Sequence, residues 1–579
     1  MNRTALKQVI DTAAGRIPAD AVIRNGVIAD VYTGRFAPGN VAISGGLIAG
    51  IGDYEGKEII DVQGRYVLPG FIDSHIHIES SFVSPEELGR LLVPHGGTTI
   101  IADPHEIVNV CGLAGLNYMM VAAEGTALDI KFMLPSCVPV SAFEQSGAEL
   151  DANALEAPIR DPRILGLGEF MNYPEVVLGT EGILDKLLLA HTQGKLIDGH
   201  SPGLSGRGLN AYAAASIHTD HECATAEDMR ERLSRGMYAM LRQGSACHDL
   251  RALLKGVTPQ NSRRCVLCSD DRQPKTIFEQ GHLEEHLRIC VEEGLDPMTA
   301  VQMATLNGAE CFRLYDRGGI APGLRADVTV VDNLKDFRVR QVFIKGILAA
   351  QDGRYLLPAI RRDDRSVRGS FHVKDFSIEK LRLRLSGNEA YTIDLRPGSV
   401  VTGKGIARVQ RNSAGEFLYN PQQDIAKIAV IERHRCTGNV GLGLIRGYGI
   451  QRGAIALSIA HDSHNIIAVG VSDADITFAV ETLLDRGGGA VLAKDGAVLE
   501  QMSLPLGGLM SDQTGEWVDA KLSSIHEVAY RVLGVNPQVE PLMTLCFMAL
   551  PVIPELKITD KGLFDVQKFQ FIPVSAQER

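Results

Sequence analysis

The sequence of 579 residues has few aromatic residues, no long apolar run and no excess of positive charge. Only one tryptophan is present, and aromatic residues make up 6% of the chain. Hydrophobic residues in total reach 45%, which is enough for ordinary globular cores. The formal net charge of -12 argues against a general nucleic-acid or anionic-membrane binder, so we expect neither nucleic acid nor a membrane as a partner.

No segment of the sequence is typical of export or membrane insertion. The N-terminal stretch "MNRTALKQVIDTAAG" lacks the apolar core of a signal peptide. The stretch "LMTLCFMALPVIP" is too short to span a bilayer and contains Pro551 and Pro554. The ten cysteines are scattered, and the one C-x-x-C pair, Cys265 and Cys268, lies in a context that predicts a buried strand. We therefore expect a reduced, cytoplasmic setting.

The pattern of apolar residues changes after about Leu68. Before that point, short β-rich runs broken by Gly and Asn predict the hairpins of a small sheet. After it, eight short apolar runs alternate with segments of helical spacing. The runs are "GFIDSHIH", "TTIIADP", "KFMLPSCVP", "ILGLGEF", "LIDGHSP", "SIHTDHE", "YAMLRQGS" and "CVLCSDD". Eight strands alternating with helices predict an α/β fold, a TIM-type (β/α)₈ barrel.

The same patterns predict four segments along the chain. Residues 1–68 form the first part of a small domain, which resembles a split β-sandwich, and residues 69–315 form the barrel. Residues 316–362 return to β character and form the second part of the small domain. Residues 363–579 mix strands and helices and are predicted to form a C-terminal α+β domain.

Side chains that can bind metal fall at the ends of several predicted strands, where the catalytic groups of such barrels gather. His75 and His77 lie two apart on the first strand, so both point to the same face. Buried ionisable groups are costly unless they are paired or bound to metal. The set therefore predicts a metal site, and the alternative is a polar, water-filled mouth without metal. Its members are His75, His77, Glu169, His200, His221 and Asp270.

The ordered set of motifs resembles a known family. "PGFIDSHIH", "GLGEF", "DGHSP", "TDHE", "SDD" and "IAPGLRADVTVVD" are similar to the metal-dependent amidohydrolase superfamily. "SHIHIESS", "ADPHEIVNV", "GEFMNYPEV", "LPLGGLMS" and the block "GLGLIRGYGIQRGAIALSIAHDSHNIIAVG" resemble the bacterial-type adenine deaminases over essentially the whole chain. The resemblance implies a hydrolase of C–N bonds in cyclic amidines that converts adenine to hypoxanthine and ammonia in purine salvage. We also expect a homo-oligomer.

The resemblance further implies a binuclear metal centre bridged by Glu169, with Mn²⁺ or Fe²⁺ as occupants. The residues alone are equally compatible with Zn²⁺. A carbamylated lysine, which bridges the two metals in many relatives of this superfamily, is not available on the fourth strand, because no lysine lies between Lys131 and Lys186. We expect His75, His77, Glu169 and Asp270 to surround one ion. His200, His221 and Glu169 would hold the other.

Two carboxylates are candidates for moving protons. Asp270 is placed to take a proton from water and to pass it to the leaving amine. Glu222 follows His221 directly and is expected either to protonate or hydrogen-bond a ring nitrogen of the substrate, or to support its neighbours. Asp271 is an alternative base and a candidate for binding substrate.

Further polar residues allow more than one interpretation. His105 and Glu106, after the second strand, either take part in substrate binding or form hydrogen bonds within a loop. The segment "AHDSHN" contains His461, Asp462 and His464. It is either a surface turn or part of the pocket wall that binds substrate, and its residues could also hold a further metal ion.

Three rival functions are weighed against adenine deamination. The zinc nucleobase deaminases need H-x-E followed by P-C-x-x-C, and no P-C-x-x-C occurs in this sequence. A related amidohydrolase acting on another purine or heterocycle remains open. A scaffold that kept the barrel without metal should lack several ligands, whereas all six are present here.

Overall fold

Two compact units make up the structure, a computed structural model that describes residues 2–576. Unit 1 comprises the chain up to residue 104 together with residues 119–136 and 151–362. Unit 2 comprises residues 105–118, residues 137–150 and the chain from residue 363 onward. Met1 and residues 577–579, which the first and last predicted segments include, lie outside the described residues. The division into four segments stays a prediction.

A nine-stranded sheet in unit 1 takes strands from both sides of the eight apolar runs. Tyr66–Pro69 pairs antiparallel with Val328–Val331, so strands before and after the runs share one sheet. Apolar residues such as Val41, Ile43 and Val67 form its buried core. The strands are Ala19–Asp30, Arg35–Ser44, Leu47–Ile51, Gly56–Asp61, Tyr66–Pro69, Val328–Val331, Val339–Ile344, Ile347–Gln351 and Arg354–Tyr355.

Each of the eight apolar runs overlaps a strand, and the pairings that join these strands are parallel. We number them first to eighth: Phe71–His77, Gly97–Ala102, Asp129–Leu134, Ile164–Phe170, Leu196–Gly199, Thr219–Asp220, Tyr238–Arg242 and Cys265–Cys268. Beyond the eighth strand, Asp270–Asp271 pairs with the first strand. Between the fifth and sixth, the His218 N–H donates to the Ile197 carbonyl at 3.2 Å. This curled parallel sheet fits a TIM-type domain.

Helices follow the strands, and local sequence fixes where they begin. Ala226–Ser234 starts after Thr225, whose hydroxyl accepts from the Asp228 N–H while the Asp228 carboxylate accepts from the Thr225 N–H. The α-helices lying within unit 1 are Arg3–Ala13, Pro85–Leu92, Ala152–Glu156, Tyr173–Leu178, Glu181–Thr192, Gly206–Ala214, Ala226–Ser234, Leu250–Leu254, Pro274–Gln280, Leu283–Glu292, Pro297–Ala304 and Leu306–Cys311. The eighth strand is buried, which confirms the interpretation of Cys265 and Cys268.

An eight-stranded sheet forms the centre of unit 2. The helix Asp473–Asp485 packs on it through Ile476, Ala479 and Val480, which share a core with Ala456. The strands of this sheet are Glu389–Asp394, Gly403–Arg408, Ile425–Ile431, Val440–Arg446, Ala454–Leu457, Ile466–Gly470, Gly489–Lys494 and Ala497–Ser503. The other α-helices and strands after residue 363 are Gln410–Arg411, Phe417–Leu418, Gly515–Val528, Pro541–Cys546, Leu556–Thr559, Gly562–Asp565 and Gln570–Phe571.

The helix His105–Ala122, which follows the second strand, begins in unit 2. Extended to Gly125, it is the one helix among the described residues whose length and composition would allow it to cross a membrane. Gly112 interrupts it with non-helical torsions, and 61% of the apolar window is buried inside the protein. These features are typical of core helices.

A buried ion pair fixes the sixth strand in place. The Arg232 Nε lies 3.0 Å from the Asp220 Oδ2, and both side chains are almost completely buried. The Arg232 Nη2 also donates to the Ser201 carbonyl at 2.6 Å. Because His221 follows Asp220 directly, this pair sets the position from which His221 projects.

We expect Arg232→Met to lower the apparent melting temperature strongly, because it leaves Asp220 buried without its partner. Breaking such a buried pair costs about 3–5 kcal/mol. The control is Arg230→Met on the same helix, where the half-exposed Arg230 pairs with the exposed Glu227. Changes at such a surface site stay within about 0.5 kcal/mol. Equal melting temperatures of the two variants would show that the buried pair is unimportant.

Candidate metal centre

His75 and His77 project from the end of the first strand into one cluster. Their Nε2 atoms lie 3.2 Å apart, and the two rings are perpendicular. The Oδ1 of Asp270 lies 3.5 Å from the His75 Nε2 and 3.2 Å from the His77 Nε2. Three donor atoms of different residues therefore surround one point. The predicted pairing of two imidazoles on one face of the strand is present in this geometry.

Glu169, at the end of the fourth strand, lies between two groups of histidines. Its Oε1 is 3.4 Å from the His77 Nε2. Its Oε2 is 2.9 Å from the His200 Nδ1 and 3.2 Å from the His221 Nε2. One carboxylate thus offers an oxygen to each side. All six predicted donors lie together at the carboxyl ends of their strands.

Hydrogen bonds on the outer sides of the rings turn the inner nitrogens toward the cluster. The His75 Nδ1 lies 3.2 Å from the Asp198 Oδ2, and the His77 Nδ1 lies 2.9 Å from the Asp103 carbonyl oxygen. Such contacts fix the tautomer and the orientation of metal-binding histidines. The Asp103 carboxylate also accepts from the Glu169 N–H at 2.9 Å. A Cβ at position 168 would lie 2.1 Å from that carboxylate, which explains why Gly168 precedes Glu169.

The electrostatics of the cluster favour a bound cation. Burial lowers the pKa of His75, but hydrogen bonds with Asp198 and Asp270 outweigh it and raise the pKa to about 10. Burial also lowers the pKa of His200, whereas the charges of Glu222 and Glu169 raise it to about 9. The carboxylates therefore draw positive charge into a buried site, as protons or as a metal ion. A set of imidazole and carboxylate donors fits a divalent transition metal.

Arg242 connects the two carboxylates that sequence analysis selected for proton transfer. Its Nη1 donates to the Glu222 Oε1 and, at 2.9 Å, to the Asp270 Oδ2. Its other nitrogens donate to Asp249. Burial would raise the pKa of Glu222, but the charge of Arg242 outweighs it and holds that pKa below its usual value. Sequence analysis missed Arg242, although a charged residue at the end of the seventh strand was a visible signal.

Asp270 and Asp271 differ in their surroundings. Asp270 adopts a positive φ of 65°, and such backbone conformations cluster at functional sites. Burial would raise its pKa, but hydrogen bonds with His75 and His77 outweigh burial and hold the pKa well below the usual value. The Asp271 carboxylate instead accepts from the Ala246 N–H at 3.0 Å. Burial and the neighbouring charge of Asp270 raise its pKa to about 6.

The remaining candidates form a second cluster, which lies within unit 2. The His461 Nδ1 is 3.5 Å from the Glu106 Oε1 and 3.7 Å from the Asp462 Oδ1. The His105 Nε2 is 3.9 Å from the Asp462 Oδ1. His464 is fully buried beside them, and its ring centroid lies 5.5 Å from that of His461. The segment "AHDSHN" is therefore a buried turn and not a surface turn.

Comparison with known families agrees with this geometry. Residues 66–348 match the amidohydrolase family, and residues 399–570 match the adenine deaminase C-terminal domain. The first match includes all eight strands and all six donors. The fold and the site thus define an amidohydrolase, a class that implies a divalent metal ion.

Full-length relatives define the family within this class. The chain is 61% identical over 576 residues to adenine deaminase 2 of Desulfotalea psychrophila, with 100% of both chains covered. It is 49% identical over 572 residues to the adenine deaminase of Nitratidesulfovibrio vulgaris, strain Hildenborough, with 99% of both chains covered. These relatives show that the chain belongs to the adenine deaminase family. Among solved structures, the L-hydantoinase of Arthrobacter aurescens matches 59% of this chain and 98% of its own at 14% identity, with a TM-score of 0.44.

We expect His75→Ala/His77→Ala to bind less metal than the parent, because it removes two donors from the cluster. Metal analysis of the purified proteins measures this loss, and circular dichroism checks that the fold is retained. His191→Ala is the control, since His191 is exposed on the helix Glu181–Thr192. A folded double variant with the parental metal content would contradict the assignment of these two histidines as ligands.

Proposed function

We propose that this protein hydrolyses adenine to hypoxanthine and ammonia, a reaction of purine salvage. The proposal rests on the position of Glu169, whose two carboxylate oxygens each face a separate group of donors. The names of the full-length relatives supply the substrate. A cytoplasmic location and a homo-oligomeric state stay predictions.

The same six side chains would hold two divalent ions. His75, His77, Glu169 and Asp270 form one set, and His200, His221 and Glu169 form the other. The donor atoms of His75, His77 and Asp270 lie within 4.8 Å of one another, which is close enough for one ion. For the other ion, the Glu169 Oε2 lies 2.9 Å from the His200 Nδ1 and 3.2 Å from the His221 Nε2. We favour Mn²⁺ or Fe²⁺, with Zn²⁺ also compatible. Bound divalent ions would supply Lewis acidity, which makes water a nucleophile near neutral pH.

Asp270 is the group that we assign to proton transfer. Its low pKa keeps it ionised, and its Oδ1 faces the imidazoles while its Oδ2 receives the Arg242 N–H. It would accept a proton from the water that attacks C6 of adenine and pass that proton to the leaving amine. Arg242 holds the carboxylate in this orientation.

Glu222 is assigned to the purine ring. Its Oε1 lies 3.5 Å from the His221 Nε2 and receives the Arg242 N–H. Because its pKa is lowered, Glu222 is a carboxylate near neutral pH. It would therefore accept a hydrogen bond from a ring N–H, which orients the ring for attack.

The fold classification is part of the same proposal. The parallel strands would close into a (β/α)₈ barrel, since Asp270–Asp271 pairs with the first strand and His218 bonds to Ile197. The nine-stranded sheet would correspond to the small β-sandwich-like domain. The eight-stranded sheet with its helices would be the C-terminal α+β domain.

The activity is tested with adenine, guanine and other amino-substituted heterocycles, with Mn²⁺ or Fe²⁺ added. We expect adenine to be consumed fastest, with hypoxanthine and ammonia formed in equal amounts. Ultraviolet absorbance follows the purine, and a coupled assay follows the ammonia. Turnover of guanine or another heterocycle while adenine stays unchanged would assign the protein to a different substrate.

We expect Asp270→Asn to lower kcat at least about a hundredfold, because general acid–base catalysis contributes about 10²- to 10⁴-fold. The amide keeps an oxygen for the metal but cannot accept the proton, so metal content should change less than in the histidine variants. The acidic limb of the pH profile, which reports coupled groups, should shift or vanish.

Asp271→Asn is the matched comparison, since the Asp271 carboxylate accepts from the Ala246 N–H. We expect its kcat to stay closer to that of the parent. A nearly parental Asp270→Asn enzyme together with an inactive Asp271→Asn enzyme would move the base to Asp271.

A further inference from the structure

A second group of metal-binding side chains lies within unit 2. One donor atom from each of Glu106, His461 and His464 falls within 4.8 Å of the others, and all three residues are buried. None of them belongs to the six donors of the metal centre described above. Two imidazoles and a carboxylate gathered in the protein interior are the donor types that divalent transition metals prefer.

Asp462 adds a second carboxylate to this group. Its Oδ1 lies 3.7 Å from the His461 Nδ1 and 3.9 Å from the His105 Nε2. The charged oxygen of Asp462 therefore faces both imidazoles. Gaps of this size between facing donors leave room for an ion that contacts both. Asp462 would thus provide a fourth ligand.

His464 provides an independent indication that this group of side chains binds a ligand. It is fully buried, and within residues 2–576 its Nε2 has no hydrogen-bond partner. An unsatisfied buried polar atom costs about 1–3 kcal/mol, so such atoms are rare in native structures. The Ala460 N–H donates to the Nδ1 at 3.3 Å, which leaves the ring proton on the Nε2. A cation at the Nε2 would move that proton to the Nδ1 at the cost of this one long hydrogen bond.

The backbone holds the turn that carries these residues. The His464 N–H donates to the Ala460 carbonyl at 2.7 Å, and the His461 N–H donates to the Cys546 carbonyl at 3.1 Å. The guanidinium of Arg433 donates to the His464 carbonyl. The His461 ring also stacks on Phe547 with a centroid distance of 4.5 Å. The donors are therefore held in position before any ligand arrives, as a specific metal site requires.

We propose that Glu106, His461 and His464, with Asp462, bind a divalent metal ion in addition to those held by the six donors of the metal centre. The donor set contains nitrogen and oxygen and no thiolate, which suits Zn²⁺, Mn²⁺ or Fe²⁺. The proposal is independent of the substrate of the enzyme, because it concerns ion binding by unit 2.

The test compares Zn²⁺ binding by the full chain and by His461→Ala. Each protein is stripped with a chelator, dialysed against Zn²⁺ and analysed for metal per chain. We expect His461→Ala to bind one equivalent less than the parent. The same loss of one equivalent should appear when His461→Ala is added to His75→Ala/His77→Ala. Equal stoichiometry of parent and His461→Ala would overturn the proposal and leave the cluster as a hydrogen-bonded network.

Two further variants make the result specific. His526→Ala is the control, because His526 forms a partly exposed pair with Glu540 at 2.6 Å. We expect it to keep the parental stoichiometry, and a loss there equal to that of His461→Ala would overturn the proposal. Glu106→Gln is the alternative variant if His461→Ala does not fold, and we expect at least about a tenfold weaker Zn²⁺ affinity. An unchanged affinity in Glu106→Gln would equally contradict the site. Adenine turnover is measured separately, so a failure of the deaminase assignment does not affect this readout.

Discussion

Negative charge buried among histidines is the constraint on which the candidate metal centre depends. Glu169 is 3% exposed, yet one of its oxygens faces His77 and the other faces His200 and His221. A carboxylate taken out of water persists only where nearby positive charge compensates it. The imidazoles can supply that charge by taking up protons, and divalent cations can supply it without protons. The parallel strands make this arrangement possible, since their carboxyl ends meet at one edge.

The outer contacts of these groups decide what the inner atoms can do. Asp198 occupies one nitrogen of His75 and so directs the other into the cluster. Arg242 occupies one oxygen of Asp270 and leaves the second facing the histidines. Each group thus has a supporting side and a functional side. We expect a change on the supporting side to alter the orientation of these groups while all six side chains of the cluster remain in place.

The sequence contained enough information to predict the strands and to place six polar side chains at their ends, because both follow from short-range patterns. His75 and His77 share a face through the two-residue period of a strand, and such periods are visible in a single sequence. Asp198 and Arg242 were missed since the partner of a charged side chain depends on which strands become neighbours. The grouping of residues 105–118 and 137–150 with unit 2 was equally hidden. The spacing of apolar residues predicts a helix but does not reveal which core it joins.

The cluster in unit 2 is encoded differently from the candidate metal centre of unit 1. Three of its members lie within the four-residue stretch from His461 to His464, where one turn brings them together. Glu106 comes from a distant part of the chain, in a segment that follows the second parallel strand in sequence but groups with unit 2. The cluster therefore needs this segment and the later residues of unit 2 to be packed together. Correct assembly of unit 2 is a precondition for this group of donors, whereas the six side chains of the metal centre all come from unit 1.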